Sequence, residues 1–173
     1  MDTPTGTLFL ALLAVASEVA VASVAVIGLV SRSALGKVRD AVGPQAITLA
    51  FVVALVATLG SLWLSYGAHF LPCRLCWYQR IAMYPMSLIL GIAAVRRDVG
   101  VRVYALPVAA IGATISTWHI LVERFPSLER ATSCDVANPC SIIWVQRLGY
   151  LTIPTMALSA FALIITLLLL ATD

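Results

Sequence analysis

Between two long apolar segments, the chain reads Leu71-Pro72-Cys73-Arg74-Leu75-Cys76-Trp77-Tyr78-Gln79-Arg80. Two residues separate the cysteines, and this spacing lets their sulfurs close a small disulfide ring. If a helix begins near Cys73, its unpaired N–H groups and the positive end of its dipole favour the thiolate form. Arg80 follows Cys76 by one helical turn on the same face, about 5–6 Å away at Cβ. A fixed cation beside a thiolate at membrane depth indicates a redox cysteine.

The composition points to a membrane protein. Of the 173 residues, 61% are hydrophobic and 11% are charged. A soluble core does not need so much apolar material, so we interpret the chain as an integral membrane protein. The net charge of +3 comes from short clusters and forms no basic stripe, so we expect no nucleic-acid partner.

Five apolar runs are long enough to span a bilayer, which takes about 20 helical residues. They lie at 8–30, 46–68, 78–95, 102–121 and 152–171. The predicted fold is all-α, a polytopic membrane four-helix bundle with an additional N-terminal transmembrane helix. Residues 1–45 would form the extra helix and a basic cytoplasmic loop, and residues 46–173 the four-helix core. No Lys or Arg precedes the first run, so we expect a retained helix rather than a cleaved signal peptide.

Positive charge is densest in two short links, 31–45 and 96–101, the second of which is followed directly by Arg102. By the positive-inside rule these links face the cytoplasm. The N-terminus, the link 69–77 and the loop 122–151 then lie outside. Cys134 and Cys140 lie in that loop, so both cysteine pairs occupy the same compartment. In a bacterial-type cytoplasmic (inner) membrane this extracytoplasmic side is oxidising, and disulfides persist there.

The outer loop contains turn signals at 125–127 and 138–139. Cys134 and Cys140 would close a small ring on oxidation. The apolar stretch 141–150 is too short to span a membrane, and we predict a short helix lying at the interface.

The four cysteines allow three interpretations: two structural disulfides, a zinc site of four thiolates, or a redox relay. The Cys-x-x-Cys loop is too short to constrain much chain entropy, which argues against a structural role. Zinc knuckles usually pair two Cys-x-x-Cys units, and the second pair here has a different spacing. The redox relay is therefore the leading interpretation, and a non-catalytic membrane scaffold with structural disulfides is an alternative.

Other polar residues in or near the spans leave further alternatives open. His69 and His119 fall near outer helix ends and could be axial ligands in a bis-His haem-binding membrane electron carrier. Arg80 could extend to lipid headgroups instead of acting in catalysis. Glu18 lies in the middle of the first span, where a carboxylate suggests function by default, although a hydrogen-bonded structural acid is an equal possibility.

The order of these features resembles the DsbB family of disulfide bond formation proteins, especially its shorter BdbC-type members. The resemblance covers about 46–171. It rests on the motif Pro72-Cys73-x-Leu75-Cys76-x-Tyr78-x-Arg80, on the second cysteine pair in the next outer loop, and on His119 in the intervening helix. The helix at 8–30 is extra to the family pattern, and the loop pair is closely spaced. The vitamin K epoxide reductase family does related chemistry, but there the loop pair comes before the Cys-x-x-Cys.

The resemblance implies a membrane thiol:quinone oxidoreductase. Electrons would pass from a thioredoxin-like, DsbA-like extracytoplasmic thiol oxidase to the loop pair, then to the Cys-x-x-Cys and on to a membrane quinone, either ubiquinone or menaquinone. By the same resemblance, Cys134 would form the mixed disulfide with the partner, and Cys140 would exchange with Cys73.

The family also implies a quinone site. Cys76 would face the quinone, and Arg80 would donate a hydrogen bond to its carbonyl oxygen. His119 would belong to the quinone pocket.

Overall fold

The computed structural model describes residues 3–131, 134–135 and 137–172. This part of the chain contains six α-helices and, apart from isolated bridges, no β-strand. The predicted all-α class is therefore confirmed. The helices are α1 (Thr3–Val30), α2 (Arg32–Val42), α3 (Ala46–Tyr66), α4 (Arg74–Arg96), α5 (Arg102–Arg124) and α6 (Ile153–Leu170). Residues 132, 133 and 136 of the predicted outer loop lie outside the described residues.

Helices α3, α4, α5 and α6 form a four-helix bundle, in which α3 packs on α4 and α6, and α5 packs on α4 and α6. Helix α1 lies against α6 and contacts α2. Four helical segments are long and apolar enough to cross a membrane, namely Thr3–Val30, Arg32–Tyr66, Val99–Arg124 and Ile153–Leu170. Helix α4 has 23 residues and runs between α3 and α5. The chain is therefore a polytopic helical membrane bundle, as predicted.

Small residues let the core helices approach closely. Ala46, Ala50 and Ala54 recur at intervals of four along α3 and are fully buried. Between helices in lipid, such small residues allow close packing of backbones, which dispersion forces then stabilise. Larger side chains, among them Met86, Leu90, Phe161 and Ile164, fill the remaining space in the same cluster.

The bundle has two chemically different ends. At one end, the link before α4 meets the loop after α5, where Asn138 Nδ2 donates a hydrogen bond to the Pro72 carbonyl at 3.1 Å. At the other end, Arg102 donates to the Ala171 carbonyl at 3.0 Å and the Thr172 N–H donates to the Gly43 carbonyl at 3.3 Å. All four cysteines lie at the first end, and the positively charged links lie at the second.

Two local predictions were wrong. The basic segment 31–45, expected to be a loop, contains helix α2, because Ser31 caps its start by accepting the Ala34 N–H at 3.3 Å. The segment 141–150, expected to be a short helix, is irregular. Its turn places Leu148 and Gly149 at positive φ, and Arg147 and Leu151 exchange backbone hydrogen bonds across it. Those dihedral angles are incompatible with a helix.

Candidate functional site

Cys73 is the N-cap of α4. Its backbone is extended, with φ −72° and ψ 174°, and its sulfur accepts the Cys76 backbone N–H at 3.2 Å. A cap residue with an acceptor side chain satisfies one of the orphan N–H groups at a helix start. The predicted helix start is thus confirmed, with the first cysteine at its N-terminus.

Cys73 and Cys76 are both free thiols, the first buried and the second half-buried. Their sulfurs lie within 4.8 Å of one another and of a ring nitrogen of His119. The pKa of Cys73 is lowered to about 5, chiefly by a hydrogen bond from the Cys76 side chain and in part by His119, against the opposing effect of burial. Cys73 is therefore the more acidic thiol of the pair, because the Cys76 pKa is raised by the same hydrogen bond and by burial.

His119 connects the two cysteine pairs. Its Nε2 lies 3.6 Å from Cys73 Sγ and 3.0 Å from the Cys140 carbonyl oxygen. Its Nδ1 lies 3.3 Å from Gln79 Nε2. When Gln79 donates to Nδ1, the ring proton resides on Nε2, which then donates toward both Cys73 and Cys140. His119 is buried and lies beside the thiols rather than in the apolar cavity described below.

The loop pair forms a disulfide, with Cα atoms of Cys134 and Cys140 6.0 Å apart. Cys140 is almost fully buried and belongs to the same packed cluster as Cys73, with Leu75 and Val122. Cys134 and Cys76 pack against this cluster. The structure therefore brings all four predicted cysteines into one contiguous site.

Glu129 holds the loop ring in place and was not identified from the sequence. Its carboxylate accepts the backbone N–H of Cys140, the N–H of Ser141 at 3.2 Å and the Ser141 hydroxyl at 2.8 Å. Hydrogen bonds to a charged acceptor are stronger than neutral ones. The sequence carries no pattern that separates this acid from neighbouring surface charges.

An apolar cavity of about 540 Å³ lies between α1, α3, α4 and α6. Cys76 is the one cysteine of the four that lines it, and it also faces the thiol cluster beside His119. Most of the lining is aliphatic or aromatic, including Phe70, Met83 and Trp144. A small group of polar side chains also faces the cavity, namely Ser17, Ser61, Ser65, Gln79, Arg80 and Tyr84.

Arg80 supplies the positive charge of the cavity. Its Nε donates to Ser61 Oγ at 3.0 Å, and its Nη2 donates to the Ser61 carbonyl at 3.2 Å and to Ser65 Oγ at 2.5 Å. The guanidinium carbon lies 5.2 Å from the centre of the Trp77 ring. Within the described part of the chain, no protein group accepts a hydrogen bond from Nη1. Arg80 is therefore fixed against α3 with one nitrogen available, rather than extended to headgroups.

These residues are compatible with a quinone. An apolar cavity with a few convergent donors is the usual form of a site for a lipophilic ligand with a polar head. Arg80, Ser61 and Ser65 offer those donors, and Cys76 brings a thiol to the wall.

A bis-His haem and a four-thiolate zinc site fit the described residues less well than a quinone does. Both ring nitrogens of His119 contact protein groups, and His69 is exposed. A four-thiolate zinc site is incompatible with the Cys134–Cys140 disulfide, although Cys73, Cys76 and His119 together form a three-donor group that could hold a metal.

A membrane bundle with a disulfide, an adjacent free dithiol and a lipophilic cavity beside it defines a membrane thiol–disulfide oxidoreductase. Comparison of the sequence with known families agrees. The sequence model of "Disulfide bond formation protein DsbB" matches residues 44–171, and the chain belongs to this family.

Individual proteins that are similar to this chain are also named as disulfide formation proteins. The chain is 50% identical over 115 residues to disulfide bond formation protein C of Bacillus subtilis (strain 168), which covers 66% of this chain and 83% of that protein. It is 42% identical over 123 residues to probable disulfide formation protein C 1 of Bacillus anthracis, covering 71% and 88%. A probable disulfide formation protein of Coxiella burnetii is 42% identical over 112 residues, covering 64% and 76%. No solved structure matches the chain. A role in disulfide formation, with thiol oxidoreductase activity, follows from the family.

Proposed function

We propose that this protein is a thiol:quinone oxidoreductase that reoxidises a thioredoxin-like, DsbA-like partner outside the cytoplasmic membrane. The observation that carries the proposal is the position of Cys76. One side of this residue meets Cys73 and the loop disulfide cluster, and the other lines the apolar cavity with Arg80. A half-buried thiol at that boundary connects thiol exchange to a lipophilic acceptor.

In the first half of the cycle, a thiolate of the reduced partner attacks Cys134 Sγ. The Cys134–Cys140 bond breaks, a mixed disulfide forms, and Cys140 leaves as a thiolate. The second partner thiol then attacks the mixed disulfide, so the partner departs oxidised and the loop pair becomes a dithiol. Each exchange transfers an electron pair between sulfurs and needs an activated thiol with a reachable disulfide.

In the second half, Cys140 attacks an oxidised Cys73–Cys76 disulfide at Cys73, and Cys76 leaves. Cys134 then attacks the Cys140–Cys73 bridge, which restores the loop disulfide and releases Cys73. The described arrangement corresponds to this stage, with the loop pair oxidised and the other pair free. His119, between the Cys140 carbonyl and Cys73 Sγ, stabilises the charge that develops on Cys73.

When bound, a quinone accepts two electrons and two protons, which balances oxidation of one dithiol to one disulfide. The chain's own residues then have separate tasks. Cys76 presents its sulfur at the cavity wall, where the two electrons leave the chain. The Cys73–Cys76 bond closes as the dithiol gives up those two electrons and two protons to the quinone, and Arg80 Nη1 offers a donor where negative charge develops. Ubiquinone and menaquinone share the carbonyl chemistry that this donor recognises.

The proposed setting is a bacterial-type cytoplasmic (inner) membrane, with both cysteine pairs and the N-terminus outside. The cysteine end of the bundle carries the two links without dense positive charge, and the opposite end carries α2 with Arg32, Lys37 and Arg39. Positive charge at the cytoplasmic end supports this orientation.

The test is a quinone-reduction assay on purified protein, driven either by a reduced DsbA-like partner or by a small dithiol. Cys76→Ser should abolish quinone reduction with both donors. Cys134→Ser is the matched control, because it should block the partner-driven reaction but leave the reaction driven by the small dithiol. Quinone reduction at the wild-type rate in Cys76→Ser would contradict the proposal, and partner oxidation at the wild-type rate in Cys134→Ser would contradict the two-pair relay.

A further inference from the structure

Helix α1 lies outside the segment that matches the family, yet it forms part of the cavity. The family match begins at residue 44, and α1 ends at Val30. Residues of α1 nevertheless line the cavity that Cys76 and Arg80 share, at intervals of three or four that place them on one helix face. They are Phe9, Leu10, Leu13, Ala14, Ala16 and Ser17.

Close packing holds α1 beside the cavity. Gly6 lies under the indole of Trp63, leaving no room there for a Cβ. One turn further along, Leu10 lies over Gly60 of α3, where an added Cβ would come within 2.8 Å of Leu10 Cδ2. Glycine at these two positions leaves room for the Trp63 and Leu10 side chains, through which α1 and α3 pack against each other.

Polar contacts fix the same helix to the outer loop and to α6. Arg147 Nη2 donates to Thr7 Oγ1 at 2.8 Å and to the Pro4 carbonyl at 3.1 Å. Deeper along α1, the Glu18 carboxylate accepts the Tyr150 hydroxyl at 2.6 Å and the Ser159 hydroxyl at 2.8 Å. Polar groups in an apolar setting are costly to leave without hydrogen-bond partners, so these contacts fix both the depth and the rotation of α1.

We infer that α1 is the apolar wall against which the tail of the quinone packs, and that Leu13 is one of its specificity-determining residues. This inference rests on the proposed quinone activity. The α1 lining is apolar except for Ser17, whereas α3 and α4 contribute the donors Ser61, Ser65 and Arg80. Helix α1 therefore adds affinity for a tailed ligand and takes no part in thiol exchange.

The experiment compares wild type, Leu13→Trp and Leu12→Trp. Leu13 lines the cavity, and an indole at that position would fill part of it. Leu12 is the adjacent residue on the same turn, is 55% exposed and does not line the cavity, so its substitution is the matched control. The readouts are the Kd for a decyl-substituted benzoquinone from the ligand-dependent rise in Tm, the KM for the same quinone, and the rate of partner oxidation by the loop pair.

In Leu13→Trp we expect Kd and KM to rise by about tenfold, the change that corresponds to about 1.4 kcal/mol of lost binding. Partner oxidation in a single turnover should stay at the wild-type rate, which also verifies the fold. Leu12→Trp should behave as wild type in all three measurements. If wild type reduces quinone but all three proteins bind it equally, α1 is not part of the site. If wild type neither binds nor reduces quinone, the proposed function itself fails.

Discussion

The two thiols of the Cys-x-x-Cys differ although they share a helix start. Cys73 is the cap, accepts the Cys76 N–H and lies 3.6 Å from His119 Nε2. Cys76 is on the first turn and faces the cavity. In the proposed cycle, the sulfur that exchanges with the loop pair and the sulfur that faces the cavity therefore belong to different residues. They differ because Cys73 is the cap of α4, whereas Cys76 lies within its first turn.

His119 sets the ionisation of Cys73 in part, so its removal should move the thiolate titration. In reduced His119→Ala we expect the pKa of Cys73 to rise from about 5, so the thiolate fraction below neutral pH falls. The expected shift is about one pH unit, since one charge-assisted hydrogen bond is worth about 1.4 kcal/mol here. Ultraviolet thiolate absorbance against pH measures it.

The matched control for this titration is His69→Ala, because His69 is exposed and outside the cysteine cluster. That variant should titrate as wild type. A curve for His119→Ala that coincides with wild type would mean that the imidazole is only a packing element.

Arg80 should affect the quinone step and leave thiol exchange unchanged. Arg80→Lys keeps the charge but loses the planar fork that bonds Ser61 and Ser65, so we expect a raised KM for quinone with partial activity. Arg80→Ala should lose about 1–3 kcal/mol of transition-state stabilisation, the worth of one charge-assisted hydrogen bond. Steady-state kinetics against quinone concentration provide the measurement.

Ser65→Ala tests how far the positioning of Arg80 matters apart from its contact with the quinone. It removes one hydrogen bond from Arg80 Nη2 and leaves the guanidinium in the cavity. Its effect should be smaller than that of Arg80→Ala. Unchanged KM and kcat in Arg80→Ala would place the ligand elsewhere.

Among the elements, the packing of α5 on α6 determines where His119 lies. Gly112 of α5 faces the fully buried ring of Phe161 on α6, and a Cβ at Gly112 would overlap that ring. Gly112→Leu should lower the Tm in detergent, because overpacking a core costs about 1–3 kcal/mol. Gly36→Leu on α2 is the control, since nothing lies within 4 Å of its added Cβ. Equal Tm values for the two variants would contradict the close approach of α5 and α6.

The long apolar runs predicted the bounds of the long helices to within a few residues. The secondary structure of the shorter segments was harder to predict. Ser31 turned a basic link into helix α2 by capping it, a signal present in the sequence but outweighed by Gly43 and Pro44. The stretch 141–150 is rich in apolar residues, and this composition favoured the prediction of a short helix. The positive φ of Leu148 depends on the hydrogen bonds between Arg147 and Leu151, and those contacts depend on the whole fold.

In the whole molecule, the site has two parts. The four cysteines lie at one end of the bundle, and the apolar cavity beside them lies between the helices. Cys73, Cys76 and Arg80 could be identified from spacing, because the local geometry of α4 places them. Gln79, Glu129 and the α1 wall could not, because each acts across more than ten residues of sequence or between separate helices. The predicted quinone-pocket role of His119 stays a prediction, and the structure places this residue among the thiols.

The proposed orientation can be tested on the whole molecule with introduced cysteines. Positions 37 and 98 are exposed at the end opposite the cysteine pairs, and position 69 is exposed at the cysteine end. An impermeant thiol reagent added to intact cells should label position 69 and not positions 37 and 98. Labelling of 37 or 98 from outside would reverse the orientation.

In the proposed mechanism, electrons leave the protein through the Cys73–Cys76 pair. The most direct measurement is a single anaerobic turnover, in which protein with a free Cys73–Cys76 pair and an intact loop disulfide is mixed with excess quinone. We expect mole-for-mole quinol formation, loss of both free thiols, and a new Cys73–Cys76 disulfide in the peptide map. Quinol formation without that disulfide, or no quinol while the dithiol stays reduced, would contradict this mechanism.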